Sequence, residues 1–198
     1  MNSQPTRSSS EKAISTDRDI VVADMDHTLL ACDLTVQSMN LFFRKKPYLI
    51  PALIFWYLQG RSVAKAKLAQ HAMPDISSAP ENPEVVSYLK AKRAGGAWIV
   101  LASASNEKIV KAVAGRFGFI DQAMGSVPGN TFKGAAKADG LDNEFGKGCY
   151  TYLGDSPADL PVWKRAKKAV TVGASPDLRA RAEAVSENVE HIALASKS

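Results

Sequence analysis

Short apolar runs, each closed by a polar residue or a glycine, punctuate the chain. Asp19-Ile20-Val21-Val22-Ala23 runs into Asp24, and Trp98-Ile99-Val100-Leu101-Ala102 runs from Gly95-Gly96 into Ser103. Cys149-Tyr150-Thr151-Tyr152-Leu153 ends in Gly154-Asp155, and Ala169-Val170-Thr171-Val172 ends in Gly173. Short apolar runs of this kind read as strands buried on both faces. A weaker fifth lies near Ala123 to Val127. Between them the spacing of apolar positions turns helical: Glu84 to Arg93, Asn106 to Phe117, Lys133 to Phe145, Leu160 to Ala166 and Pro176 to Ala184. Ile109, Val110, Val113 and Phe117 share one helix face. Pro161 suits a helix start. Strands alternating with helices predict an α/β fold, a parallel sheet with helices on both faces.

The stretch 33–75 breaks the alternation. It reads as helical throughout, in at least two pieces parted near Gly60, and forms a small helical cap inserted after the first strand. The core is then 18–32 together with 76–198. Residues 1–17 are polar and Ser-rich, lack the apolar run of a secretory signal, and read as a disordered tail. Within the cap, Pro47 to Leu58 is apolar for about a dozen residues, short of the roughly 20 that a spanning helix needs. Two readings of it stay open. The run packs against its neighbours, or, with Arg44-Lys45-Lys46 before it, it faces a membrane or a lipid phosphate.

Length and composition narrow the class. A chain of 198 residues suits one domain with an insertion, and 45% apolar with 23% charged residues is ordinary for a globular protein. The net charge of +5 suits an anionic substrate or an anionic membrane surface. It is too weak and too dispersed to mark a nucleic-acid binder. Cys32 and Cys149 are far apart, which points to neither a disulfide framework nor a zinc site. Both read as small buried apolar residues, and a reducing cytoplasm is the default setting. His71 and His191 show no metal-ligand spacing.

The candidate chemistry sits where the strands end. In an open parallel sheet, ligands bind at the carboxyl ends of the strands. If the first three well-marked strands are neighbours, Asp24, Ser103 and Asp155 converge. Those residue types point to phosphoryl transfer. A carboxylate, Asp24, attacks phosphorus to form an aspartyl-phosphate. Asp24 and Asp155 together can hold Mg2+, which binds a phosphoryl oxygen as a Lewis acid. Lys137 adds positive charge, with Lys133 as the other candidate. Ser103 and the backbone N–H groups beside it, at Ala104, can hold phosphate oxygens. Asp26 can protonate the leaving oxygen and then activate water. Blander readings stand beside these. Acids are common at strand-end turns. Asp155 and Asp159 can cap the helix that follows, Lys137 can be a solvated helix lysine, and Ser103 can be an N-cap, although Ser105 is better placed for that. Asp33 is either the N-cap of the first cap helix or a residue aimed at the substrate. Arg61 and Lys65 can meet an anionic substrate group.

Taken together, these residues resemble the haloacid dehalogenase (HAD) superfamily. Asp24-Met25-Asp26-His27-Thr28 resembles its motif I, Ser103 motif II, Lys137 motif III, and Gly154-Asp155-Ser156-Pro157-Ala158-Asp159 the GDxxxD form of motif IV. The order is the expected one, and the resemblance covers about residues 18–184. It implies a Rossmann-like core and a Mg2+-dependent phosphatase. Asp24 would be nucleophile and metal ligand. Asp26 would be acid/base and give its backbone carbonyl to the metal. Asp155 would complete the protein's ligands, Asp159 would support the metal or Lys137, and Thr28 would brace the motif I loop. His27 stands where the family often has Gly. The cap resembles that of the phosphoserine phosphatase-like subclass, which closes over small substrates. A narrower resemblance, carried by Gly60-Arg61…Lys65, Leu101 to Ser105, Asn130 to Ala138 and Tyr150 to Trp163, is to the HAD domain found with UbiA-type prenyltransferases. It implies a lipid-linked or sugar phosphate of polyprenyl-phosphate metabolism as substrate, and a separate prenyltransferase or the membrane surface as partner. The alternatives are a small soluble metabolite such as phosphoserine or, from another class, a non-catalytic partner domain of a membrane enzyme.

Overall fold

The computed structural model describes residues 18–195; the tail expected over 1–17 lies outside the described residues. Six strands form one sheet in the order β3-β2-β1-β4-β5-β6, and every pairing is parallel. They are β1 (Ile20–Ala23), β2 (Trp98–Asn106), β3 (Gln122–Ser126), β4 (Tyr150–Gly154), β5 (Lys168–Val172) and β6 (Val189–Ile192). β1 lies near the middle, between β2 and β4, with all four of its residues buried. Its alternating side chains feed two cores. Val21 and Ala23 join Leu89, Ile99, Leu101 and Val113 on one face, and Ile20 and Val22 join Val100, Tyr152 and Trp163 on the other.

The core helices are α4 (Pro83–Ala94), α5 (Glu107–Arg116), α6 (Ala135–Phe145), α7 (Leu160–Trp163) and α8 (Pro176–Glu183). Between β1 and α4 stand the cap helices α1 (Leu34–Lys45), α2 (Ile50–Leu58) and α3 (Arg61–His71). A short 3-10 turn, Pro47–Leu49, joins the first two. The cap has its own small core of Phe42, Leu53, Leu68 and Ala72. Trp56 stacks on His71 at 5.3 Å and meets Phe42 edge-on at 6.1 Å. His71 is thus a packing residue, and His191 pairs with Thr171 and Glu183.

Two features depart from the sequence reading. β6 was not expected: Val-Glu-His-Ile is half-exposed at the sheet edge, so it lacks the apolar run that marks a buried strand. Cys149 is exposed rather than buried, because it sits just before β4 in a loop beside Gly148. Cys32 is partly buried against the core.

Candidate active site

Strand register builds the site. Ala23 pairs with Leu101 on one side and Leu153 on the other, and the Asp24 N–H donates to the Leu153 carbonyl at 2.9 Å. Asp24 therefore emerges level with Ala102 and Gly154, and Ser103 and Asp155 follow one residue further along. All three line one cavity of about 230 Å3 at the carboxyl edge of the sheet. It also contains Asp26, Asp33, Lys65, Ala104, Lys133, Lys137 and Asp159.

The turn after β1 is tightly held. Leu29 and Leu30 donate their N–H groups back to the carbonyls of Asp24 and Met25. His27 takes φ +60°, a left-handed conformation that glycine adopts without cost. The Asn82 side-chain amide reaches the carbonyls of Thr28 at 2.7 Å and His27 at 3.1 Å. Thr28, fully buried, donates its hydroxyl to Asp155 at 2.9 Å and so joins the ends of β1 and β4.

Lys137, on the first turn of α6, is buried and points back under the sheet edge. Its ammonium lies 3.1 Å from Asp24, 2.8 Å from the Tyr152 hydroxyl and 3.7 Å from Asp159. Burial pulls its affinity for a proton down, but Asp24 and Asp159 outweigh that and hold the pKa above its ordinary value. Tyr152 in turn donates to Asp159 at 2.7 Å, and burial followed by the charge of Asp159 keeps its hydroxyl protonated. Ser156 donates its N–H and hydroxyl to the other Asp159 oxygen. Gly154 is what lets Asp159 in: a Cβ there would lie 2.6 Å from its carboxylate oxygen and 3.0 Å from its Cβ.

Asp26 is clasped between core and cap. One oxygen accepts the Leu34 N–H at 2.9 Å, at the start of α1. The other accepts the Ser105 hydroxyl at 2.8 Å, with the Ser103 hydroxyl at 3.4 Å. Ser105 is itself 3.0 Å from the Thr35 hydroxyl of the cap. Ser105 therefore does not cap α5. That place goes to Asn106, whose side chain accepts from the Lys108 N–H, because β2 runs on through Asn106. Above this, Lys65 of α3 donates to the Ala104 carbonyl at 2.8 Å. Burial lowers its pKa. Asp33 caps α1 through the Val36 N–H and also lines the cavity. Arg61 opens α3 and is exposed, and the cavity lining is reached one turn later by Lys65.

The charge balance calls for a cation. Carboxylate oxygens of Asp24, Asp155 and Asp159 lie within 4.8 Å of one another, beside the buried ammonium of Lys137. Burial, only partly offset by Lys137, raises the Asp24 pKa to about 7, with Asp159 and Asp26 adding to the rise. Burial likewise holds Asp26 and Asp155 above the ordinary carboxylate range. Such a cluster fits a divalent metal, whose charge would reverse those shifts. The Asp26 carboxylate, already occupied by its donors, is not part of this cluster. Of the residues missed by sequence reasoning, Tyr152 carried one signal: a tyrosine in a strand buried on both faces needs a partner for its hydroxyl. Ser105, Thr35 and Asn82 carried none.

A parallel sheet with this cluster at its carboxyl edge and a helical cap above it is the framework of a hydrolase that can work through an aspartate and a divalent metal. The chain belongs to the haloacid dehalogenase-like hydrolases, whose family pattern it matches over residues 21–164. An uncharacterized protein of Sinorhizobium fredii, y4nM, is 29% identical over 154 residues, 77% of this chain and 30% of that protein's length. A Bordetella pertussis protein of unknown function superposes with TM-score 0.67 at 19% identity, covering 88% of this chain and 98% of that one. A substrate-bound phosphoserine phosphatase superposes with TM-score 0.62 at 13% identity, covering 88% and 93%. At these identities the two structures share the fold.

Proposed function

We propose that the chain hydrolyses phosphate monoesters in two steps with Asp24 as nucleophile. The observation that carries this is the convergence of Asp24, Lys137 and Asp155 on one cavity wall. The substrate phosphoryl group sits against Asp24, and its charge is met by Lys137, Lys133 and the polar groups at Ser103 and Ala104. When bound, Mg2+ supplies positive charge and Lewis acidity toward a phosphoryl oxygen; Asp24, Asp155 and the Asp26 backbone carbonyl would hold it. Asp24 attacks phosphorus and the ester oxygen leaves with a proton from Asp26. The raised pKa of Asp26 suits a donor. Asp26 then takes a proton from water, which cleaves the aspartyl-phosphate and frees Asp24. Thr28 and Asp159 act by fixing Asp155 and Lys137.

The test is turnover of p-nitrophenyl phosphate with Mg2+. Asp24→Asn should cut kcat by at least about a thousandfold and abolish the acid-stable phosphoenzyme. An active wild type with an equally active Asp24→Asn variant overturns the mechanism. A domain serving only as a non-catalytic partner would show no turnover at all.

For the substrate we infer a lipid-linked or sugar phosphate of polyprenyl-phosphate metabolism, supplied beside a membrane prenyltransferase. Support comes from the cap, with its exposed aromatic and basic residues. The cavity takes a phosphate and a small headgroup, so a lipid's apolar part would lie outside it. That same small volume favours a second reading, a soluble ester such as phosphoserine. A panel of phosphate esters separates them: full activity on phosphoserine without lipid removes the first reading.

A further inference from the structure

The cap carries the chain's charge excess. Between Asp33 and Asp75 there are six Lys and Arg residues and no Asp or Glu, so the excess of +5 resides there and is not dispersed. The same segment exposes large apolar side chains: Leu58 at 81%, Tyr48 at 73%, and Ile54 and Phe55 at 59% each. α2 explains the geometry. At about 100° per residue, Leu53 and Trp56 fall on the side that packs into the cap core, while Ile54, Phe55 and Leu58 fall on an arc roughly opposite. A helix apolar on both sides has only one of them covered among the described residues. Arg44 and Lys45 end α1, immediately before Tyr48 and α2, and both are exposed.

We propose that this face of the cap docks on the surface of an anionic lipid bilayer, with Phe55 and Leu58 entering the acyl boundary and Arg44 and Lys45 at the headgroups. Apolar side chains next to cations, with no acid in the segment, match the two requirements of an interfacial helix, buried apolar area and attraction to anionic headgroups. The α2 helix is only nine residues long, and no helix among the described residues is long and apolar enough to cross a membrane, so the contact is made from one side. A protein partner for an apolar face would not require a segment free of acids, as residues 34–74 are. Docking is independent of which ester the site hydrolyses.

Co-sedimentation of the full chain tests it, with vesicles of phosphatidylcholine alone or mixed equally with phosphatidylglycerol. The wild type should pellet with the mixed vesicles and stay in solution with phosphatidylcholine. The pelleted fraction should fall as salt rises. Phe55→Ser/Leu58→Ser and Arg44→Gln/Lys45→Gln should each weaken partition by about tenfold. Soluble p-nitrophenyl phosphate turnover, measured without vesicles, should stay at the wild-type level in both variants. That control shows they fold and keeps the outcome separate from the phosphatase reading. The proposal fails if the wild type ignores the mixed vesicles, or if the serine variant pellets as well as the wild type. It also fails if light scattering shows a dimer that the serine variant dissociates, since the face then belongs to a second copy.

Discussion

Ser105 shows how much a single hydroxyl can decide. It reaches Asp26 at 2.8 Å from the core side and Thr35 at 3.0 Å from the cap side. If Asp26 delivers the leaving-group proton, its alignment matters most when the departing oxygen is strongly basic. Ser105→Ala should therefore lower kcat by about tenfold on an alkyl phosphate and much less on p-nitrophenyl phosphate, with KM little changed. Ser105→Thr should restore most of the loss. An equal loss on both esters would mark the hydroxyl as merely structural. Tyr152 also links two charged groups, accepting from Lys137 and donating to Asp159. Tyr152→Phe leaves both without that partner. It should lower the melting temperature and raise KM for the phosphate ester, read by calorimetry and steady-state kinetics.

At the scale of elements, the strand ends carry the design. Gly154 closes β4 where Asp159 crosses it, so Gly154→Ala should destabilise the fold by about 1–3 kcal/mol and lower kcat by displacing Asp159 from Lys137. Thermal unfolding and turnover check the two halves of that expectation. β1, β4 and β5 were legible because Val21-Val22-Ala23, Tyr152-Leu153 and Val170-Thr171-Val172 are buried on both faces and unbroken. The continuation of β2 through Ser105 was hidden, because Ser-Ala-Ser-Asn looks like a loop and a helix cap in sequence. Its pairing with β3 also shifts register between Ala102 and Asn106. In the site, Asp24, Ser103 and Asp155 could be placed together by strand assignment and direction, and all three line the cavity. Asn82 could not, since its contacts with the motif I turn span more than fifty residues of chain.

For the whole molecule, the consequence of the acidic cluster is a coupling between protons, metal and stability. Burial raises the folded-state pKa of Asp24 from 3.8 to about 7. Between those two values the folded chain holds a proton that the unfolded chain has released. Without metal, this residue's contribution to stability therefore falls as pH rises through that window. Melting temperatures in EDTA should drop across it, apart from other titrations. Saturating Mg2+ should flatten or reverse the slope, and calorimetry in buffers of different ionisation enthalpy should detect protons released on binding. Affinity for Mg2+ should climb as pH passes about 7. A pH-independent affinity would mean that Asp24 is already ionised in the metal-free protein.

Hydrogen bonds join the cap to the site around Asp26 and the end of β2: Leu34 to Asp26, Thr35 to Ser105, and Lys65 to Ala104. The Leu34 and Thr35 bonds act on the proposed proton donor, the first directly and the second through the Ser105 hydroxyl. On that mechanism the arrangement is an interlock. With the lid raised, Asp26 keeps Ser105 but loses the Leu34 N–H, and Ser105 loses Thr35, so the acid is less firmly aimed and a phosphate held in an open site waits without being committed. Release of the alcohol requires the same bonds to part, and the phosphoenzyme must be enclosed a second time before water can be activated. Each turnover then contains two closures, and its rate is paced by the lid as much as by the bond to phosphorus.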